Sequence, residues 1–182
     1  MRIVKQGGFP KPGLASHNRQ TGLSLLELLV AVLVTAIGVL GVTSLQMLSL
    51  QGNRLALQRN EAVMLAYDIM DRARANPGGV YGPLNWNDQP PATADCVANI
   101  CNEGQIATFD QAVWKCTLGN WRTNSVCTGL EAGGVIPAAT QQPGLPNGDG
   151  EILINGTTIT VTVRWVDPTS ALPMQITIAS QA

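Results

Sequence analysis

Histidine is nearly absent from this chain. Its one example, His17, lies within the first 22 residues, and from Leu23 onward there is none. A Ser-His-Asp or Cys-His nucleophile therefore cannot be assembled in that larger part. Lysine is almost as scarce: beyond residue 22 only Lys115 remains, beside Cys116 and outside any Ser-x-x-Lys context. Acidic residues are present, but no spacing sets two of them together as an acid–base pair. These absences argue against an enzyme, and no cofactor is expected. The four cysteines, Cys96, Cys101, Cys116 and Cys127, form no C-x-x-C pair and have no histidine nearby, so a zinc site is disfavoured and no metal is expected. A basic stripe is missing too. Four of the eleven basic residues lie in 1–22, leaving seven against twelve acids, a net charge of −5. Four of those seven, Arg54, Arg59, Arg72 and Arg74, fall in one helical stretch, and direct nucleic-acid binding is not expected.

What is present is strongly ordered along the chain. Residues 1–22 carry Arg2, Lys5, Lys11 and Arg19 and no acid. Leu23–Leu45 follows, an apolar run whose one charge is Glu27. At about 1.5 Å per residue it reaches roughly 34 Å, enough to cross a bilayer core. A basic stub before an apolar span predicts a cytoplasmic N-terminus and an exported body. An ordinary secretory signal has an apolar core of only about 7–15 residues and then a cleavage site. Here the helical pattern continues, with Leu45, Leu48, Leu55, Ala62, Ala66, Ile69 and Ala73 recurring at threes, fours and sevens. Nothing breaks it before Pro77, so one helix is expected from Ser24 to Asn76. All four cysteines then lie in the exported part, where disulfides form. Of the three possible connectivities, the local one is expected: Cys96–Cys101 and Cys116–Cys127.

The rest of the chain reads as α+β. Residues 77–102 are rich in Pro, Gly, Asn and Asp and predict an irregular crossing. Ile106, Phe109, Val113 and Trp114 recur at helical spacing, so a short helix is expected over 103–118, with Asn102 as its N-cap. The segment between Cys116 and Cys127 reads as loop, and so does 129–148. "EILI", a turn at Asn155-Gly156, "TTITVTVRWV" and "PMQITIA" predict a three-stranded antiparallel meander. Ile159, Val161, Val163 and Trp165 share one face of it, joined by Met174, Ile176 and Ile178. That face needs a cover, and the apolar stripe of the long helix around Leu55–Ala73 can supply it. "NGDGE", Asn147 to Glu151, spaces oxygen ligands as calcium loops do. No further acid closes the loop, and a turn entering the hairpin is the preferred reading.

Glu27 remains to be explained. A carboxylate at bilayer depth costs a few kcal/mol, so it suggests function by default. A plain single-span anchor accounts for the length and the topology but not for the acid. Gly22 followed by Leu-Ser-Leu-Leu-Glu, residues 23–27, resembles the class III prepilin signal of type IV pilins and pseudopilins, although phenylalanine or methionine is commoner than Leu23. The resemblance implies that an inner-membrane prepilin peptidase cuts between Gly22 and Leu23 and methylates the new N-terminus of Leu23. It also implies that Glu27 pairs with the N-terminal amine of an adjacent subunit and so sets register during assembly. Gly38 and Gly41 are small residues of the kind that let membrane helices approach closely. Many major pilins have a proline where this chain has Ser44, so a continuous helix is expected.

"NEAVMLAYDIMDRARANP", "CVANICNEGQIATFD", "LPNGDGEI" and "VTVRWVD" resemble minor pilins of the PilV type, in the same order. The implied fold is pilin-like, a long half-transmembrane helix packed on a C-terminal antiparallel sheet with a short extra helix. The implied organisation is a leader over 1–22, a transmembrane half-helix over 23–45, a soluble amphipathic half over 46–76 and a periplasmic globular domain over 77–182. The implied function is type IV pilus assembly, priming or capping the filament with other minor pilins. Its partners would be the peptidase, minor and major pilins and the inner-membrane assembly platform. It would sit first in the inner membrane, with its N-terminus cytoplasmic, and then in the filament or at its tip. A minor pseudopilin of a type II secretion system would share the leader and the helix, and is the alternative.

Overall fold

A computed structural model describes residues 22, 24–167 and 172–181. The leader up to residue 21, and Leu23, lie outside the described residues. The chain divides into two compact units, residues 1–47 and 48–182. Helix α1, Leu25–Ala75, contributes to both.

In the first unit α1 exposes every described side chain, among them Leu25, Leu29, Leu33, Ile37 and Leu40. Its two threonine hydroxyls are satisfied by its own backbone. Thr35 Oγ1 donates to the carbonyls of Ala31 and Val32, and Thr43 Oγ1 to those of Val39 and Leu40. Lipid offers no partner for such groups, so internal bonding is what a span requires. Among the described residues, α1 is the one helix long and apolar enough to cross a membrane.

In the second unit α1 buries Gln58, Ala62, Ala66, Ile69, Met70 and Ala73. Alanine at three of these positions lets neighbouring elements approach the helix axis closely. Strands β1 (Asp149–Asn155), β2 (Thr158–Trp165) and β3 (Met174–Gln181) form one antiparallel sheet in the order β1-β2-β3. Ile152 faces Val161, and Val161 faces Ile178, so the apolar positions align across all three strands. Ile152, Ile159, Val161, Val163 and Trp165 share one buried cluster with Ala62, Ala66, Ile69 and Met70 of α1. The architecture is α+β and pilin-like, with the sheet's apolar face covered by the helix.

Helix α2, Glu103–Leu118, begins at a capping box. Asn102 accepts from the Gln105 amide, and the Gln105 side chain accepts from the Asn102 amide. Ala107, Trp114 and Leu118 face the main core, and the Trp114 indole donates to the Leu65 carbonyl at 2.9 Å. Gly150 lies against the Trp114 ring, where a Cβ would collide with it. Phe109, Ala112, Val113 and Cys116 face a second cluster with Cys127, Leu130 and Ile136.

Two features differ from expectation. The stretch after Cys116 is not loop throughout: helix α3, Ser125–Ala132, lies within it, capped by Asn124. Eight residues containing Gly129 and Thr128 have little helical tendency of their own. Packing of Cys127 and Leu130 against α2 holds them helical. The hairpin turn is also displaced by one residue. Asn155 still pairs with Thr158, so the two loop residues are Gly156 and Thr157. The positive φ of 61° falls on Gly156, the first central position, where II′ turns take glycine.

Candidate functional site

The candidate assembly segment is the start of α1. Ser24 is the N-cap: its Oγ accepts from the Leu26 amide at 3.3 Å, and its carbonyl accepts from the Leu28 amide at 3.1 Å. The S-x-x-E spacing of Ser24 and Glu27 is the sequence signal for this cap. Glu27 sits in the first turn, where the helix dipole favours an anion. It is exposed, and none of the described residues gives its carboxylate a hydrogen bond or an ion pair. The acid is therefore available to a group outside this helix. Gly22 is exposed and non-helical. Its partner in the expected cleavage, Leu23, lies outside the described residues, so their bond is not seen. Gly38 and Gly41 have nothing of this chain within 4 Å of an added Cβ, so the fold itself does not require them to be small.

The cysteines lie in the second unit. Cys96 is bridged to Cys101 and Cys116 to Cys127, with Cα separations of 5.5 and 5.3 Å. The two bridges sit in contrasting surroundings. Cys116 and Cys127 are fully buried between α2 and α3, whereas the Cys96–Cys101 loop carries Val97 and Ile100 to the surface.

Two polar clusters anchor α2. On one side Asp110 receives Arg72 Nη1 at 2.9 Å and the Tyr81 hydroxyl. Burial, and then the bond to Asp110, pushes the Tyr81 phenol up to about 12. On the other side Lys115, 0% exposed, donates to Asp149 Oδ1 at 2.7 Å and to the Asn85 carbonyl at 3.0 Å. Burial pushes the Lys115 ammonium below the usual lysine range, opposed by Asp149. Asp149 also accepts from the Gly150 and Asn87 amides. The carboxylate that a calcium loop at 147–151 would need is thus held by Lys115. The Gly148 amide closes a turn onto the Leu145 carbonyl. Among the described residues no group of three His, Cys, Asp or Glu converges. The sequence signal for this buried role of Lys115 is its place on the inner face of an amphipathic helix.

An exposed apolar helix, long enough to cross a membrane and headed by an uncommitted glutamate, thus precedes an α+β domain. Comparison with family models agrees. Residues 17–43 match the prokaryotic N-terminal methylation motif, and residues 44–112 match the family of Type IV pilin Tt1218. No curated protein and no solved structure matches the chain. The two matches together support a type IV pilin with a class III signal. Proteins of this class are structural, not enzymatic. The motif implies processing by prepilin peptidase and assembly with other pilins, and the apolar helix implies membrane anchoring.

Proposed function

We propose that this chain is a minor pilin of the PilV type. It is cut between Gly22 and Leu23, methylated on Leu23, and held in the inner membrane with its N-terminus cytoplasmic and residues 77–182 periplasmic. The assembly platform then extracts it to join other minor pilins and prime or cap the filament. The observation that carries this reading is Glu27, an exposed acid without a partner among the described residues, at the head of an uncovered apolar helix. A carboxylate packed among apolar helices needs a counter-charge. The methylated amine of a neighbouring subunit supplies one, because methylation preserves the positive charge. The length of the domain, its cysteines and the "RANP" ending of the helix are what support the pilus over a secretion-system pseudopilin.

The test is Glu27→Val. Membrane insertion and cleavage should persist, since removing a charge from an apolar span makes insertion easier. The amount of this protein in sheared pili, relative to the membrane pool, should fall severalfold. Equal ratios for wild type and variant would sink the assembly role of Glu27.

A further inference from the structure

The chain contains two Asn-Gly dipeptides, Asn147-Gly148 and Asn155-Gly156. Asparagine before glycine is chemically labile, because no Cβ shields the next backbone nitrogen from the side-chain amide carbon. The fold treats the two sites in opposite ways. Asn155 ends β1, and Asn155, Gly156 and Thr157 are all exposed. Among the described residues neither the Gly156 N–H nor the Asn155 side chain makes a hydrogen bond. An added Cβ at Gly156 would meet nothing within 4 Å, so the turn has room to move. The Asn155–Thr158 pair is the last rung of the β1–β2 ladder, and a terminal rung opens with little loss of buried contact.

Asn147 is exposed as well, but its glycine is buried. The Gly148 N–H donates to the Leu145 carbonyl at 2.9 Å, and the Gly148 carbonyl accepts from the Asn120 amide at 2.9 Å. A Cβ at Gly148 would strike the Leu118 carbonyl, so the backbone is held tightly there. Attack by this nitrogen requires breaking a buried hydrogen bond and moving a peptide that has no space. We propose that Asn155 is a site of spontaneous deamidation and that the fold protects Asn147. The Gly156 nitrogen gives up its proton and bonds to Asn155 Cγ. The Cγ–Nδ2 bond breaks, and Nδ2 leaves as ammonia, carrying that proton. Water then opens the cyclic imide at either carbonyl, giving aspartate or isoaspartate. Either product adds a negative charge at the hairpin tip, and isoaspartate also lengthens the main chain by a methylene.

The experiment incubates the full chain in detergent micelles at mildly alkaline pH. Peptide mass spectrometry follows the amide-to-acid mass gain, and isoaspartyl methyltransferase labelling follows isoaspartate. Asn155 should convert severalfold faster than Asn147, and its rate should rise with pH, since the attacking nitrogen must lose a proton. In the reduced chain unfolded in urea, the two sites should convert at similar rates. Gly156→Ala should slow conversion at Asn155 severalfold and leave Asn147 unchanged. If that variant does not fold, the comparison of folded with unfolded wild type still decides. Conversion at Asn155 in urea but not in the fold would show that the turn protects it, and overturns the site. Equal rates at Asn147 and Asn155 in the folded chain overturn the protection of Asn147. Aspartate formed without isoaspartate overturns the cyclic route.

Discussion

Lys115 shows how little one residue reveals by itself. It is the sole lysine after residue 22, and its ammonium is enclosed with Asp149, which is 2% exposed. A buried pair of this kind is weakly stabilising as a pair, but removing one partner strands the other charge. Asp149→Asn should therefore cost about 3–5 kcal/mol, read from the denaturant midpoint. Lys115→Met with Asp149→Leu should restore most of that loss, and a double variant as unstable as the single one would refute the stranded-charge account. Tyr81 makes a second prediction at this scale. In the fold it keeps its proton to about pH 12, against 10.0 for an ordinary phenol. Between those values the folded state holds the proton that the unfolded chain has lost, so stability falls as pH rises through the window. Tyr81→Phe should flatten the decline, as measured by urea unfolding across that pH range. An unchanged slope would place its cause elsewhere.

At the scale of elements, the two bridges should behave differently. Cys116–Cys127 closes a span of 11 residues inside the α2–α3 cluster, and Cys96–Cys101 one of 5 near the surface. In the chain-entropy model these are worth about 3 and about 2 kcal/mol. Mild reductant should open Cys96–Cys101 first, as read by alkylation and peptide mass. Replacing Cys116 and Cys127 by alanine should release the amide protection of α3 while leaving β1–β3 protected. Protection retained in α3 would mean that its apolar contacts suffice without the bridge. This helix was not legible in the sequence, because Ser125–Ala132 is short and contains Gly129. Helix α2 was legible because Asn102 and Gln105 form a local cap and its apolar residues recur at 3.6. The hairpin was legible in its pairing, but its turn was placed one residue early: Asn155-Gly156 is a strong local signal, and alignment of Ile152 with Val161 overrode it.

At the scale of the whole molecule, the proposal turns on processing. Gly22→Glu should block cleavage and leave a membrane precursor heavier by the 22-residue leader, resolved by immunoblot against wild type. Mature-sized protein in that strain would refute the Gly22–Leu23 cut. The proposed cut would create the charge that Glu27 is proposed to meet, so Gly22→Glu and Glu27→Val should share the filament defect. They should differ in size, which separates failure of processing from failure of assembly.

The sequence by itself determined the anchor, its signal and the sheet. Apolar runs, S-x-x-E caps, alternating strands and proline stops act between residues a few positions apart, so they can be read along the chain. Only the tertiary structure decided which charges meet. Lys115 finds Asp149 across 34 residues, Arg72 finds Asp110 across 38, and Arg164 reaches Asn87 across 77. No local pattern encodes such pairs, because burial sets their partners: once packing of α2 on β1 encloses Lys115, its ammonium must take the nearest carboxylate.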